Sequence, residues 1–171
     1  MAAWERLVRL YQEPVFRLAY LILGDDAEAD DVAQETFIQA YLNLDRFDGT
    51  RPLRPWLLKI ATNLARNRQR SVSRYRAALQ RFWQNEPVAA PRPSETAVQA
   101  ESQRLWQAVR QLRPKAQEII YLRYFLELSE AETAFTLNIP PGTVKSRLHR
   151  ALKQLRTVVE SEFPDLSEAF R

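Results

Sequence analysis

Residues 128–156 read LSEAETAFTLNIPPGTVKSRLHRALKQLR, and few folds accommodate that order of caps, breaks and apolar spacings. Ser129, followed three residues later by Glu132, makes a capping box and so marks the start of a helix. Ala134 and Leu137 give that helix an apolar side. Residues 138–142 hold two prolines and a glycine, which stop it. Asn138 stands where the turn needs a residue tolerant of positive φ. Thr143 is suited to cap a second helix, on which Val144, Leu148, Ala151, Leu152 and Leu155 recur at helical spacing. Two short helices joined by a tight turn make a helix-turn-helix.

The second helix is chemically one-sided. It carries Lys145, Arg147, Arg150, Lys153 and Arg156, and residues 143–158 contain no acid. A solvated basic surface is the plain reading of such a run. Its position favours another one, because the second helix of this motif normally enters the major groove of DNA. Ser146 and His149 share the face that includes Lys145 and Arg150.

The chain has 171 residues, enough for one or two small domains. It has no cysteine, which excludes disulfides and thiolate chemistry and is compatible with a reducing cytoplasm. Its one histidine, His149, cannot build a His-rich metal site, and no cofactor is expected. No apolar run approaches the ~18–20 residues of a membrane span, and no signal peptide precedes the first helix. The chain is therefore read as cytoplasmic. Three glycines and few alternating β-branched runs argue for an all-α protein.

A net charge of +4 conceals a strong partition. Residues 1–45 are net −6, residues 46–86 net +8, residues 87–142 neutral, residues 143–158 net +5, and the tail net −3. Two separated basic blocks suggest two nucleic-acid footprints, and the acidic front suggests a basic protein partner.

Residues 3–23 place Trp4, Leu7, Val8, Tyr11, Val15, Leu18, Ala19 and Ile22 on one stripe. Pro14 falls inside it, predicting two helices that break near Gln12 and Glu13. Gly24 ends the second, and Asp25 caps the next, with Glu28 at the capping-box position. That helix, 26–44, has a core stripe of Ala33, Phe37, Ala40, Tyr41 and Leu44. Its other side carries Asp31, Gln34, Glu35, Ile38 and Leu42, acids beside apolar groups, as at a docking face. A carboxylate metal cluster there fits no EF-hand spacing, because the mid-loop glycine is missing.

The loop RFDGTRPLRP follows, with turn chemistry at Asp48 and Gly49. A helix over about 53–74 then turns Trp56, Leu57, Ile60, Ala61 and Leu64 inward. Lys59, Asn63, Arg66 and Arg70 form an outward polar stripe with no interleaved glutamate. Bases beside an aromatic, Phe47, and an amide, Asn63, suit single-stranded nucleic acid. Residues 76–94, with Pro87, Pro91 and Pro93, read as a flexible linker in which Phe82 and Trp83 are unusual. Ser94 caps a helix bearing Val98, Leu105, Ala108, Val109 and Leu112, stopped at Arg113 and Pro114. Pro114 opens the next helix, which buries Ile119, Ile120 and Phe125.

PPGTVKSRLHRALKQLR resembles the −35-reading helix-turn-helix of sigma-70-type sigma factors in the extracytoplasmic-function (ECF) group. Thr143, Val144 and Lys145 alone also resemble response-regulator domains, but those need an upstream α/β receiver, and no strand-like runs occur there. DDVAQETFIQAYLNLDRFDG and PWLLKIATNLARNRQR resemble ECF region 2, in family order. The resemblance implies two small helical domains, region 2 over 1–75 and region 4 over 95–160, with a linker over 76–94 and an acidic tail over 161–171. It implies a non-enzymatic factor that binds core RNA polymerase and directs it to promoter DNA. Asp31, Gln34, Glu35 and Ile38 would then meet the clamp of the largest subunit. Phe47 would stack on a flipped −10 base, with Lys59, Asn63, Arg66 and Arg70 along the strand. Thr143, Lys145, Ser146, Arg147, His149 and Arg150 would read the −35 element. Relatives often carry Gly, Ile and Gly where this chain has Glu127, Thr133 and Asn138. Such factors are commonly held inactive by an anti-sigma protein that clamps both domains, and the length of the linker permits a compact arrangement.

Overall fold

The computed structural model describes residues 2–80, 97–164 and 166, and its architecture is all-α. The first half consists of α1 (Ala2–Leu23), α2 (Asp26–Leu42) and α3 (Leu53–Gln80), with a 3₁₀ turn at Leu44–Arg46. The second consists of α4 (Ala97–Arg110), α5 (Pro114–Ile120), α6 (Glu130–Leu137) and α7 (Pro141–Glu162). Between α5 and α6 the backbone widens into a π turn, Tyr121–Phe125.

Local signals account for most boundaries. Gly24 adopts φ +73°, a left-handed conformation that glycine enters without strain, and it ends α1. Asp25 then accepts the Glu28 N–H at 2.9 Å and caps α2. Pro114 occupies the first turn of α5, where its missing N–H costs nothing. Ser129 and Glu132 close a full capping box on α6: the Glu132 N–H donates to the Ser129 hydroxyl at 3.2 Å, and the Ser129 N–H to Glu132 Oε2 at 2.8 Å. Asn138 ends α6 at φ +54°.

Several expectations are corrected. Pro14 does not break the first segment, because α1 is one helix through it. The proline removes the hydrogen bond that the Leu10 carbonyl would accept, but Leu10 is exposed, and buried Val15, Leu18, Ala19 and Ile22 anchor the helix beyond it. Tyr41 and Leu44 are exposed, whereas Ala29, Val32 and Thr36 share the buried side of α2 with Ala33, Phe37 and Ala40. Glu28 does not complete a capping box; its carboxylate instead meets Arg68 of α3. α3 continues to Gln80, so helix occupies the first residues assigned to the linker. Thr143 caps nothing: Pro140 is the cap residue of α7, and Thr143 lies inside the first turn. Ser94, Phe82 and Trp83 lie outside the described residues. α7 also runs past residue 160, into the stretch read as a tail.

The halves are packed together. One apolar cluster extends from Val15, Leu18 and Leu57 to Ile119, Leu122 and Val144. Specific contacts hold its edges. Arg110 of α4 lies over the Trp106 ring, 5.1 Å from its centroid, and against Gly24. A Cβ on Gly24 would come within 2.6 Å of Arg110 Nη1, the end of a side chain that can shift, so it is the positive φ that calls for glycine there.

Candidate nucleic-acid interface

Helix α7 presents a clean face. Val144 and Ala151 are buried on its inner side, with Leu148, Leu152 and Leu155 half-buried around them. Lys145, Ser146, His149 and Arg150 are exposed together on the opposite side, with Lys153 and Arg156 continuing the face. The Arg150 Nε–H donates to the Ser146 carbonyl at 3.3 Å, which holds the stem of Arg150 along the helix. Arg147 and Thr143 are half-buried and lie off this face. The helix-turn-helix itself is built as expected, with the αL residue Asn138 between α6 and α7.

The three departures from the family pattern each have a structural consequence. Glu127 and Asn138 both stand at φ +54°, the conformation for which glycine is best suited. Thr133 is fully buried, and its hydroxyl has no hydrogen-bond partner among the described residues.

The loop before α3 is set by one carboxylate. Asp48 Oδ1 accepts from the Thr50 hydroxyl at 2.6 Å and the Thr50 N–H at 3.1 Å, while Oδ2 meets Arg51 at 3.0 Å. These bonds, the Thr50 hydroxyl foremost, hold the Asp48 carboxyl below its usual range. Phe47 is half-buried, its ring 4.8 Å from that of Trp56 and tilted by 43°. Trp56 is half-buried as well, so part of this two-ring platform stays accessible.

The stripe on α3 is not uniformly outward. Asn63 and Arg70 are exposed, but Lys59 and Arg66 are half-buried beneath the second half of the chain. Arg66 makes a two-pronged ion pair with Glu118 of α5, both bonds at 2.6 Å. That pair raises the Arg66 guanidinium above its ordinary pKa, against the effect of burial. Lys59 Nζ sits 4.8 Å from the centre of the Phe135 ring, and Arg51 lies 5.2 Å from the same ring. The neighbouring Arg54 donates to the Leu126 carbonyl at 2.8 Å. Glu118, Phe135, Arg51 and Arg54 were not foreseen, because each partner lies more than fifty residues away in sequence and local pattern carries no sign of it.

On α2, Asp31, Gln34, Glu35 and Ile38 are all exposed, and Ile38, Tyr41 and Leu42 form an apolar patch beside them. Tyr41 leans edge-on against Trp4, with centroids 5.3 Å apart. Arg68 of α3 bridges Glu28 and Asp31, so the acidic end of this face is tied to the stripe helix. Among the described residues no group of His, Cys, Asp or Glu converges to hold a metal ion, and no helix is long and apolar enough to cross a membrane.

Two family models match the chain: Sigma-70 region 2 over residues 7–75, and Sigma-70, region 4 over residues 102–155. The ECF RNA polymerase sigma factor SigW of Bacillus subtilis is 36% identical over 169 residues, spanning 90% of this chain and 87% of the relative. The chain belongs to the ECF RNA polymerase sigma factors. SigL of Mycobacterium tuberculosis, another ECF sigma factor, is 34% identical and is covered over 92% of its length. CnrH, solved in complex with the cytosolic domain of CnrY, superposes with a TM-score of 0.69 over 94% of this chain at 26% identity. RpoE of Bartonella quintana, solved with the anti-sigma factor NepR, shares the fold with a TM-score of 0.76 over 95% of the chain at 22% identity. This ECF sigma factor binds core RNA polymerase and promoter DNA and directs promoter-specific initiation through −10 and −35 recognition.

Proposed function

We propose a division of that work among three surfaces, with no catalytic role for any of them. The exposed face of α7, Lys145, Ser146, His149 and Arg150, reads the −35 duplex in the major groove. Thr143 and Arg147, off that face, contact the backbone at its margin. Phe47 and the stripe Lys59, Asn63, Arg66 and Arg70 receive the melted −10 strand. The α2 face, Asp31, Gln34, Glu35 and Ile38, docks on the clamp of the polymerase largest subunit. Region 2 then corresponds to residues 1–75 and region 4 to residues 95–160. By analogy with CnrH and the Bartonella factor, an anti-sigma protein restrains this chain.

The observation that carries the reading is the acid-free α7 face: four polar groups capable of hydrogen bonding stand exposed on one side of a helix whose other side is buried. That is the geometry direct readout requires. The Phe47 platform supports the −10 assignment on separate grounds. Extruding a base costs a few kcal/mol, and stacking on an aromatic returns ~1–3 kcal/mol. These terms are comparable, so losing the ring shifts opening strongly.

Run-off transcription with core polymerase tests the division. Phe47→Ala and Asn63→Ala should impair transcription from a duplex promoter while leaving the −35 preference unchanged. A template already melted across −10 should recover much of the Phe47 loss. A large fall in the thermal midpoint of Phe47→Ala, with no recovery on the melted template, would instead make Phe47 a packing residue against Trp56.

A further inference from the structure

A cavity of about 440 Å³ opens between α1 and the π turn, apart from the three surfaces assigned above. That volume lies in the ~300–1,000 Å³ range of small-molecule sites. Leu10 of α1 and Tyr124 of the π turn line it, and both are exposed. The other large apolar side chains exposed among the described residues, Ile38, Tyr41, Leu42 and Leu44, belong to α2 and the turn after it. Folding thus brings the remaining two, far apart in sequence, to one cavity. Half-buried Tyr11 and Phe125 add two more rings to its lining.

Charge at the cavity is balanced and unspent. Arg17 and Arg54 supply two cations, Glu13 and Glu127 two carboxylates. Among the described residues none of the four forms an ion pair. Arg54 gives one N–H to the Leu126 carbonyl at 2.8 Å, which steadies its guanidinium at the cavity. Glu127 holds its carboxylate there at φ +54°, a conformation strained for a residue with a Cβ. Pro14 frees one further group. It has no N–H, so the Leu10 carbonyl lacks the donor that an α-helix would give it. Both residues line the cavity, and the freed acceptor stands in its wall.

From this we infer that the cavity takes a small aromatic zwitterion, with an ammonium, a carboxylate and a ring, as in an aromatic amino acid or a short peptide with free ends. A simple anion would face Glu13 and Glu127, and a simple cation would face Arg17 and Arg54. A zwitterion satisfies both pairs. Its carboxylate pairs with Arg17 beside Arg54. Its ammonium pairs with Glu127 and Glu13 and donates to the Leu10 carbonyl. Its ring packs among Tyr11, Tyr124 and Phe125, in the offset or edge-on contacts that aromatic groups prefer.

Amide chemical shifts of the isotope-labelled full chain, followed during titration with phenylalanine and separately with phenylalanyl-phenylalanine, test this. At least one probe should shift residues 10–17 and 124–127 in a saturable way, and the tighter of the two separates amino acid from peptide as the source. Phenylpropionate has only the carboxylate, phenethylamine only the ammonium, and N-acetylphenylalanine amide neither charge. Each should bind about tenfold more weakly, the scale of one hydrogen bond to a charged group. Arg17→Gln, at an exposed position, should weaken the zwitterion by a similar factor. Glu127→Gly removes a carboxylate and relieves the backbone, so it should weaken binding while holding or raising the thermal midpoint. Pro14→Ala returns an N–H to the Leu10 carbonyl, and should weaken binding with no loss of helicity. Absence of a saturable shift with either probe, or shifts confined to other residues, would overturn the inference. So would binding of the uncharged amide as tight as that of the zwitterion, or unchanged affinity in all three variants.

Discussion

The rings of Tyr20 in α1 and Trp106 in α4 lie parallel, with centroids 6.2 Å apart and 5° between their planes. Phe16 continues the stack on Tyr20 at 6.3 Å, and Arg110 covers Trp106 from its own helix. An aromatic pair contributes about 0.5–1.5 kcal/mol beyond the area it buries. Trp106→Ala should therefore lower stability by about 2–3 kcal/mol, combining the pair with part of the cost of truncating a large side chain. Denaturant melts of Trp106→Ala and Trp106→Phe measure this, and the phenylalanine variant should retain most of the stability.

Thr133 gives a prediction of opposite sign. A buried hydroxyl without a partner costs about 1–3 kcal/mol in desolvation, and valine has nearly the same shape. Thr133→Val should raise stability by about 1 kcal/mol, or a thermal midpoint higher by ~2–4 °C for a chain of this size. A lower midpoint would mean that water or a shifted rotamer already serves the hydroxyl.

At the −35 face, Arg150→Ala should cost ~1–3 kcal/mol of promoter binding and change preference at one base position. Competition binding across single-base promoter variants reads this directly. A uniform loss across sequences, with the salt slope reduced by about one, would assign Arg150 to a phosphate.

On α2, reversing charge at both Asp31 and Glu35 should weaken core-polymerase binding while leaving duplex binding by α7 intact. The double variant also breaks the contact between Asp31 and Arg68, 2.7 Å long and exposed on the Asp31 side. Such a pair contributes only about 0–1 kcal/mol, so the fold should survive, as circular dichroism can verify. Undiminished affinity for core would move the docking surface elsewhere.

Acid sensitivity should localise in part to the start of α6. The Ser129 backbone N–H, and then its hydroxyl contact, hold the Glu132 carboxyl below its ordinary value of 4.5. A depressed folded value stabilises the protein above the unfolded carboxylate range, and that contribution is lost as pH falls through the folded value. Glu132→Gln keeps a side-chain acceptor but loses the charge. The difference in thermal midpoint between wild type and Glu132→Gln should be steady near about pH 6 and shrink as the pH falls below the ordinary carboxylate value and through the folded one.

What could be read from the chain beforehand follows from the range of the forces involved. Ser129 with Glu132, Gly24 with Asp25, and Asn138 act within one turn of backbone, so their residues alone place helix ends and the helix-turn-helix. The α7 face follows from spacing on one helix, and its exposed and buried sides came out as spaced. Pro14 reads as a breaker because local pattern does not show the buried residues beyond it, Val15, Leu18, Ala19 and Ile22, which anchor α1 as one helix. Periodicity alone turns Tyr41 and Leu44 inward, whereas Ala29, Val32 and Thr36 fill the buried side of α2. On sequence alone the α3 stripe reads as outward, because no acid lies near it along the chain. Its acid is Glu118, 52 residues beyond Arg66, and only the packing of the two halves selects that one.

The π turn at Tyr121–Phe125 has a consequence for how this chain tolerates change in length. Its widened ring is closed by the Leu126 N–H donating to the Tyr121 carbonyl, five residues back, at 2.9 Å. Such a turn amounts to an α-helix with one residue inserted, and each residue of an α-helix turns the chain by about 100°. The extra residue thus sets the angle at which α5 hands the chain on to α6. Loss of a single codon here would leave every downstream apolar residue in place as a type. It would nonetheless swing the Leu126 carbonyl and Phe135 away from Arg54 and Lys59, like a screw stopped a quarter-turn short.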